Sequence, residues 1–149
     1  VTGIERIAAA FAGSGKRAAL MPYMMGGFPD QRTSLAIGEA YAEGGADLIE
    51  LGIPFSDPLA DGPVIQAAGT VALRAGATVE RVLELAAALA PRVPVIAMTY
   101  ANIVFARGID AFADALVEAG VSGLIVPDLP LEEAPAVLEP CDARGLAPR

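Results

Sequence analysis

A chain of 149 residues suits one ordinary domain, and a hydrophobic fraction of 54% with only 19% charged residues marks a chain that buries a core rather than one that stays disordered. A formal net charge of −8 argues against a nucleic-acid partner, which needs clustered Lys and Arg, and against adsorption to an anionic membrane. The single cysteine, Cys141, excludes an internal disulfide; with no histidine in the chain it has no visible metal or catalytic partner, so it reads as a small buried hydrophobe in a reducing, cytoplasmic setting. No secretion signal is visible at the start of the chain. The longest uncharged stretch, residues 93–106, carries Pro94, Thr99, Tyr100 and Asn102 and is too short to span a bilayer.

Thr2 and Glu5 have capping-box spacing, and Ile4, Ile7, Ala8 and Phe11 follow a helical period, which predicts a first helix over residues 3–12 closed by Gly13, Ser14 and Gly15. Gly15-Lys16 hints at a phosphate loop, but Arg17 stands where Ser or Thr is needed and Ala10 where Gly is needed, so that motif is rejected. Residues 18–25 read as a buried strand broken by Gly26, Gly27 and Pro29. Asp30 can cap a helix running to about Glu43, closed by Gly44 and Gly45. Residues 46–52 form a second strand, followed by a Pro- and Gly-rich loop and a helical pattern over 64–74. Thr78 caps a helix over 79–90, residues 93–99 form a third strand, and 109–118 are helical. A fourth strand over 121–126 and a helix over 132–144 follow, with Pro140 expected to kink or end that helix. A fifth strand should begin at Gly145 to Arg149.

Continuous apolar strands alternating with helices signal a parallel sheet covered on both sides. A faint repeat supports this: Glu43-Gly44-Gly45 precedes Leu48-Ile49, and Glu118-Ala119-Gly120 precedes Leu124-Ile125. Such units suit a doubly wound sheet or a closed barrel. The dinucleotide version loses weight because no Gly-x-Gly-x-x-Gly follows the first strand. A complete eight-unit barrel takes roughly 250 residues, so four units plus a leading helix are either a small four-unit fold or a barrel whose back half is absent.

Glu50 is the anomaly of the chain. It sits in Leu48-Ile49-Glu50-Leu51, near the C-terminal end of an apolar strand, where an unpaired carboxylate is costly and its pKa should rise. That is the chemistry of a general acid/base, at the rim where parallel barrels carry their sites; a structural ion pair is the competing role. Asp57 and Asp61 lie in the following loop, where one could face Glu50, although composition alone favours turn and cap roles. Asp128 ends the fourth strand, with capping of the next helix the leading single role. Tyr100 and Asn102 follow the third strand on the same rim, where an aromatic most often packs.

Taken together, the segments resemble one family, the α subunit of tryptophan synthase. The carrying motif is the run from Leu51 to Gln66, LGIPFSDPLADGPVIQ. Supporting it are Gly27-Phe28-Pro29-Asp30, Met98-Thr99-Tyr100-Ala101-Asn102 and Val126-Pro127-Asp128-Leu129-Pro130. The resemblance implies the first half of a (β/α)8 TIM barrel and a retro-aldol cleavage of indole-3-glycerol phosphate to indole and glyceraldehyde 3-phosphate. It assigns proton transfer to Glu50, and indole N–H binding with stabilisation of the cationic intermediate to Asp61. Tyr23, Met98, Tyr100, Ile125 and Asp128 would line the indole pocket. Pro54, Asp57, Pro58 and Asn102 would face a β subunit in an α2β2 complex. That partner would carry pyridoxal phosphate, and this chain would need no cofactor. In the family the substrate phosphate is held by later units, so the 149-residue chain alone is expected to be inactive and to self-associate through open strand edges. Two alternatives stand beside the lyase: a non-catalytic half-barrel that only associates, and another phosphosugar barrel enzyme such as an isomerase, which the Pro-Phe-Ser-Asp-Pro loop fits poorly.

Overall fold

The computed structural model describes residues 1–148; Arg149, the last residue of the expected fifth strand, lies outside the described residues. Five strands, β1 (Tyr23–Met25), β2 (Ile49–Gly52), β3 (Val95–Met98), β4 (Gly123–Ile125) and β5 (Ala147–Pro148), form one sheet. Every pairing is parallel and the strands lie in chain order, the curving start of a β/α barrel. The connections are α2 (Gln31–Glu43), α3 (Pro63–Arg74), α4 (Val79–Leu89), α5 (Ala101–Arg107), α6 (Ile109–Glu118) and α7 (Ala134–Ala143), after a leading helix α1 (Gly3–Gly13).

Local chemistry starts and stops these helices. Thr2 and Glu5 form the expected reciprocal box, with Thr2 N–H donating to Glu5 at 2.7 Å and Glu5 N–H to the Thr2 hydroxyl at 3.2 Å. Asp30 caps α2 through Thr33 N–H at 2.8 Å, and Thr78 caps α4 through Arg81 N–H at 3.3 Å. The repeat seen in the sequence has a physical basis. α2, α3, α6 and α7 each end on a glycine with φ between +72° and +90°: Gly45, Gly76, Gly120 and Gly145. In each case the next N–H returns to a carbonyl five residues back: Ala46 to Tyr41, Ala77 to Ala72, Val121 to Leu116 and Leu146 to Cys141. This is the Schellman closure, which needs a left-handed residue and turns the chain back under the sheet.

The sheet register separates two faces. Met24, Leu51, Ala97 and Leu124 are aligned across β1 to β4 and pack outward against the helices, in a core with Leu85, Leu89, Phe112, Leu116 and Val137. Tyr23, Glu50, Ile96 and Gly123 are aligned on the opposite, interior face. α1 reaches this face from below: Gly3 N–H donates to Gly145 O at 2.8 Å, Arg6 donates to the carbonyls of Gly120 and Ala90, and Ile7 lies against Gly123.

Several expectations need correction. The strands are shorter than the apolar runs: β1 takes only the last three of residues 18–25, and β2 the last four of residues 46–52. α7 runs through Pro140 to Ala143: Val137 and Cys141 are buried in the core, and the Arg144 side chain bonds the Pro140 carbonyl at 3.0 Å. Cys141 is the buried hydrophobe expected, its thiol pushed up in pKa by burial. α5 carries no local signal in the sequence, its residues 101–107 falling between a strand and a helix. Its capping group comes from elsewhere, since the Asp128 carboxylate accepts from Ala101 N–H at 2.9 Å. Asp128 therefore caps α5 and not the helix that follows it.

Candidate active site

Glu50 is the middle of a cross-strand row. On the interior face its neighbours are Tyr23 on β1 and Ile96 on β3; one pleat nearer the C-terminal rim lie Met25, Gly52, Met98 and Ile125. Four of the sequence-derived residues, Tyr23, Glu50, Met98 and Ile125, thus share one wall through register alone. Glu50 is half-buried, and no basic side chain among the described residues stands within ion-pair distance of it. The structural ion pair considered from the sequence is therefore not found. Burial alone raises its pKa above the ordinary carboxyl value, the direction that favours a carboxyl able to give a proton as well as take one.

The loop over residues 53–62 brings the second carboxylate. It leaves the sheet late: Ile53 N–H still donates to Met98 O at 2.8 Å. For that reason Pro54, expected on a partner-facing surface, is buried at the loop's base. Ser56 donates to the adjacent Asp57 at 2.6 Å, and Asp57 is exposed in the bend there, with Pro58 half-buried beside it. Asp61 does not cap α3; the N-cap is Gly62, without a side-chain bond, and Pro63 opens the helix. The half-buried Asp61 carboxylate instead lies beside Tyr23 and Tyr100 and acts on the ionisation of both phenols. Burial, then Asp61, then Glu50 push the Tyr23 phenol far up, so it stays neutral and a donor. Tyr23 is thus the side chain that feels both carboxylates.

Tyr100 is not at a pocket mouth. It is 1% exposed and lies beneath the loop. Asn102, on the first turn of α5, is exposed, and Asp128 is half-buried behind it. Sequence reasoning gave no role to Gln66, whose side-chain amide bonds the carbonyls of Asp61 at 2.9 Å and Pro58 at 3.4 Å, closing the loop from the α3 side. Its place in the motif was the available signal. An apolar cleft of about 400 Å³ along β1, between α2 and α3, is lined by Tyr23, Met25, Phe28, Ile65 and Val71 and includes neither carboxylate.

The wall depends on Gly52. A Cβ there would lie 2.1 Å from the Tyr23 hydroxyl oxygen and 2.7 Å from its ring. Gly52→Ala is expected to drive Tyr23 off its position and to cost about 1–3 kcal/mol as overpacking. Denaturant unfolding beside the Tyr23 ring resonances checks this; unchanged ring shifts would refute it.

An interior carboxyl on a central parallel strand, a second carboxylate in the loop leaving that strand, and a tyrosine that senses both make up a candidate acid–base site at the C-terminal rim of a β/α sheet. The family model described as "Tryptophan synthase alpha chain" matches residues 10–148, and the chain belongs to that family. A tryptophan synthase alpha chain from Methanosarcina mazei is 51% identical over 131 residues, covering 88% of this chain and 48% of the relative. A crystal structure of tryptophan synthase from M. tuberculosis superposes with a TM-score of 0.91 at 40% identity, covering 96% of this chain and 59% of that one. The tryptophan synthase a2b2 complex of the hyperthermophile Pyrococcus furiosus gives a TM-score of 0.83 at 33% identity, over 87% of this chain and 56% of that one. This chain spans about half the length of the curated relatives it matches. Among the described residues no helix is long and apolar enough to cross a membrane, and no cluster of three metal-ligating side chains occurs.

Proposed function

We propose that this chain carries the catalytic carboxylates of a carbon–carbon lyase that cleaves indole-3-glycerol phosphate to indole and glyceraldehyde 3-phosphate. The observation that carries the reading is Glu50: a desolvated carboxyl with no cationic partner among the described residues, on the interior face of β2, beside a tyrosine that also senses Asp61. Protonated Glu50 delivers its proton to C3 of the indole ring, and the ring nitrogen takes up the positive charge. The Asp61 carboxylate accepts the indole N–H and offsets that charge. The Glu50 carboxylate then removes the proton of the side-chain hydroxyl. The carbon–carbon bond breaks, its electron pair returns to the ring, and an aldehyde leaves. Glu50 ends protonated as it began, so protons balance and the step needs no cofactor.

Exposed Asp57 and Asn102, with the half-buried Pro58, supply the rim for a β subunit carrying pyridoxal phosphate, in an α2β2 assembly, and the setting is cytoplasmic. Family membership favours the lyase over the isomerase and the purely associating half-barrel. The test is indole release from indole-3-glycerol phosphate, by this chain alone and by this chain joined to the C-terminal half of the Methanosarcina mazei relative. Turnover in the joined chain is the expected result; none there, with the fold intact by circular dichroism, would overturn the proposal. The chain alone is expected to be silent, because the family's phosphate grip belongs to the later units.

A further inference from the structure

We propose that Tyr100 is the positioning residue of the Asp61 loop, holding it by two separable contacts, one through its ring and one through its hydroxyl. The ring stacks on Phe55 near the start of the loop, with centroids 5.4 Å apart and planes inclined by 29°. The hydroxyl oxygen accepts from Ala60 N–H at 3.1 Å, across forty positions of sequence and immediately before Asp61. Start and end of the loop are thus tied to one side chain that is itself buried and cannot swing away.

Tyr100 is fixed in turn. It lies two residues beyond β3, as the N-cap residue of α5, whose first N–H, on Ala101, is held by Asp128 just past the end of β4. A rigid path therefore runs from β4 through α5 to the loop on β2, and it ends one residue from the carboxylate. Because the phenol oxygen accepts from Ala60, its own proton is free for the neighbouring Asp61 carboxylate. Burial and the negative charges of Asp61 and Asp128 keep that phenol protonated, so the donor persists across working pH. Ala60 itself is exposed, so its amide is shielded chiefly by this bond. By contrast the Gln66 clamp sits on the solvent side and grips carbonyls only.

The inference rests on the lyase reading only for its kinetic arm. Tyr100→Phe keeps the stack and removes the acceptor; Tyr100→Leu removes both. In the chain itself, amide hydrogen exchange at Ala60 is expected to accelerate at least tenfold in Tyr100→Phe, with exchange in the strands unchanged. In the joined chain that turns over, kcat is expected to fall about tenfold or more with KM nearly constant, because a misplaced carboxylate costs transition-state stabilisation. Tyr100→Leu should lose more, with Phe the partial rescue. Unchanged Ala60 exchange in Tyr100→Phe overturns the proposal. So does a loss of kcat that only tracks global stability, the pattern of mere packing. If neither Tyr100 variant folds, Phe55→Leu loosens the same anchor from the loop side and must speed Ala60 exchange, or the proposal fails. If the parent shows no turnover, the lyase reading fails while the exchange arm still decides the role of Tyr100.

Discussion

Glu50→Gln is expected to lower turnover of indole-3-glycerol phosphate by about 100-fold or more, with the fold intact. Gln keeps the shape and the position on β2 but cannot take or give the proton, and no other carboxyl occupies the row of Tyr23, Ile96 and Gly123. The assay is steady-state indole release by the joined chain; activity within a few-fold of the parent would end the role of Glu50. The same variant has a stability signature. Burial raises the folded pKa of Glu50 above its unfolded value, so the folded state binds the proton more tightly. Its contribution to stability is then fully present below the unfolded pKa and is lost as pH rises through the folded pKa. The parent should therefore lose stability relative to Glu50→Gln on going from pH 4 to pH 8. Denaturant midpoints at the two pH values measure it, and a constant difference would show that Glu50 is not desolvated.

Asp61→Asn should depress kcat by about 100-fold while moving KM little. Asn still accepts a hydrogen bond from the indole N–H, so ground-state binding is largely kept. What it lacks is the full negative charge facing a ring nitrogen that becomes cationic only after C3 is protonated. The half-buried position beside Tyr23 and Tyr100 makes that charge count more than it would in open water. Parallel kcat and KM determinations distinguish the roles: a rise in KM with constant kcat would mean that Asp61 only positions substrate.

The sequence by itself determined the order of elements and the parallel sheet, and it pointed to the two carboxylates, Glu50 by its break in an apolar strand and Asp61 through the family motif. Period and punctuation are local: Thr2, Asp30 and Thr78 sit where a side chain must satisfy the first turn of a helix, and Gly45, Gly76, Gly120 and Gly145 sit where the chain must turn left-handed. Glu50 stood out because a charge in an apolar strand breaks the local pattern, and such breaks are made at sites. Only the tertiary structure decided how the loop is held. α5 stayed hidden because its cap is Asp128, twenty-seven residues downstream. Pro54 proved buried because the β2–β3 ladder runs one hydrogen bond past the strand, through Ile53. Tyr100, an ordinary rim aromatic in the sequence, became the anchor of the loop because β3 and the end of β2 are neighbours in space and not in the chain. Contacts of that kind depend on which strands lie side by side, and no local pattern encodes them.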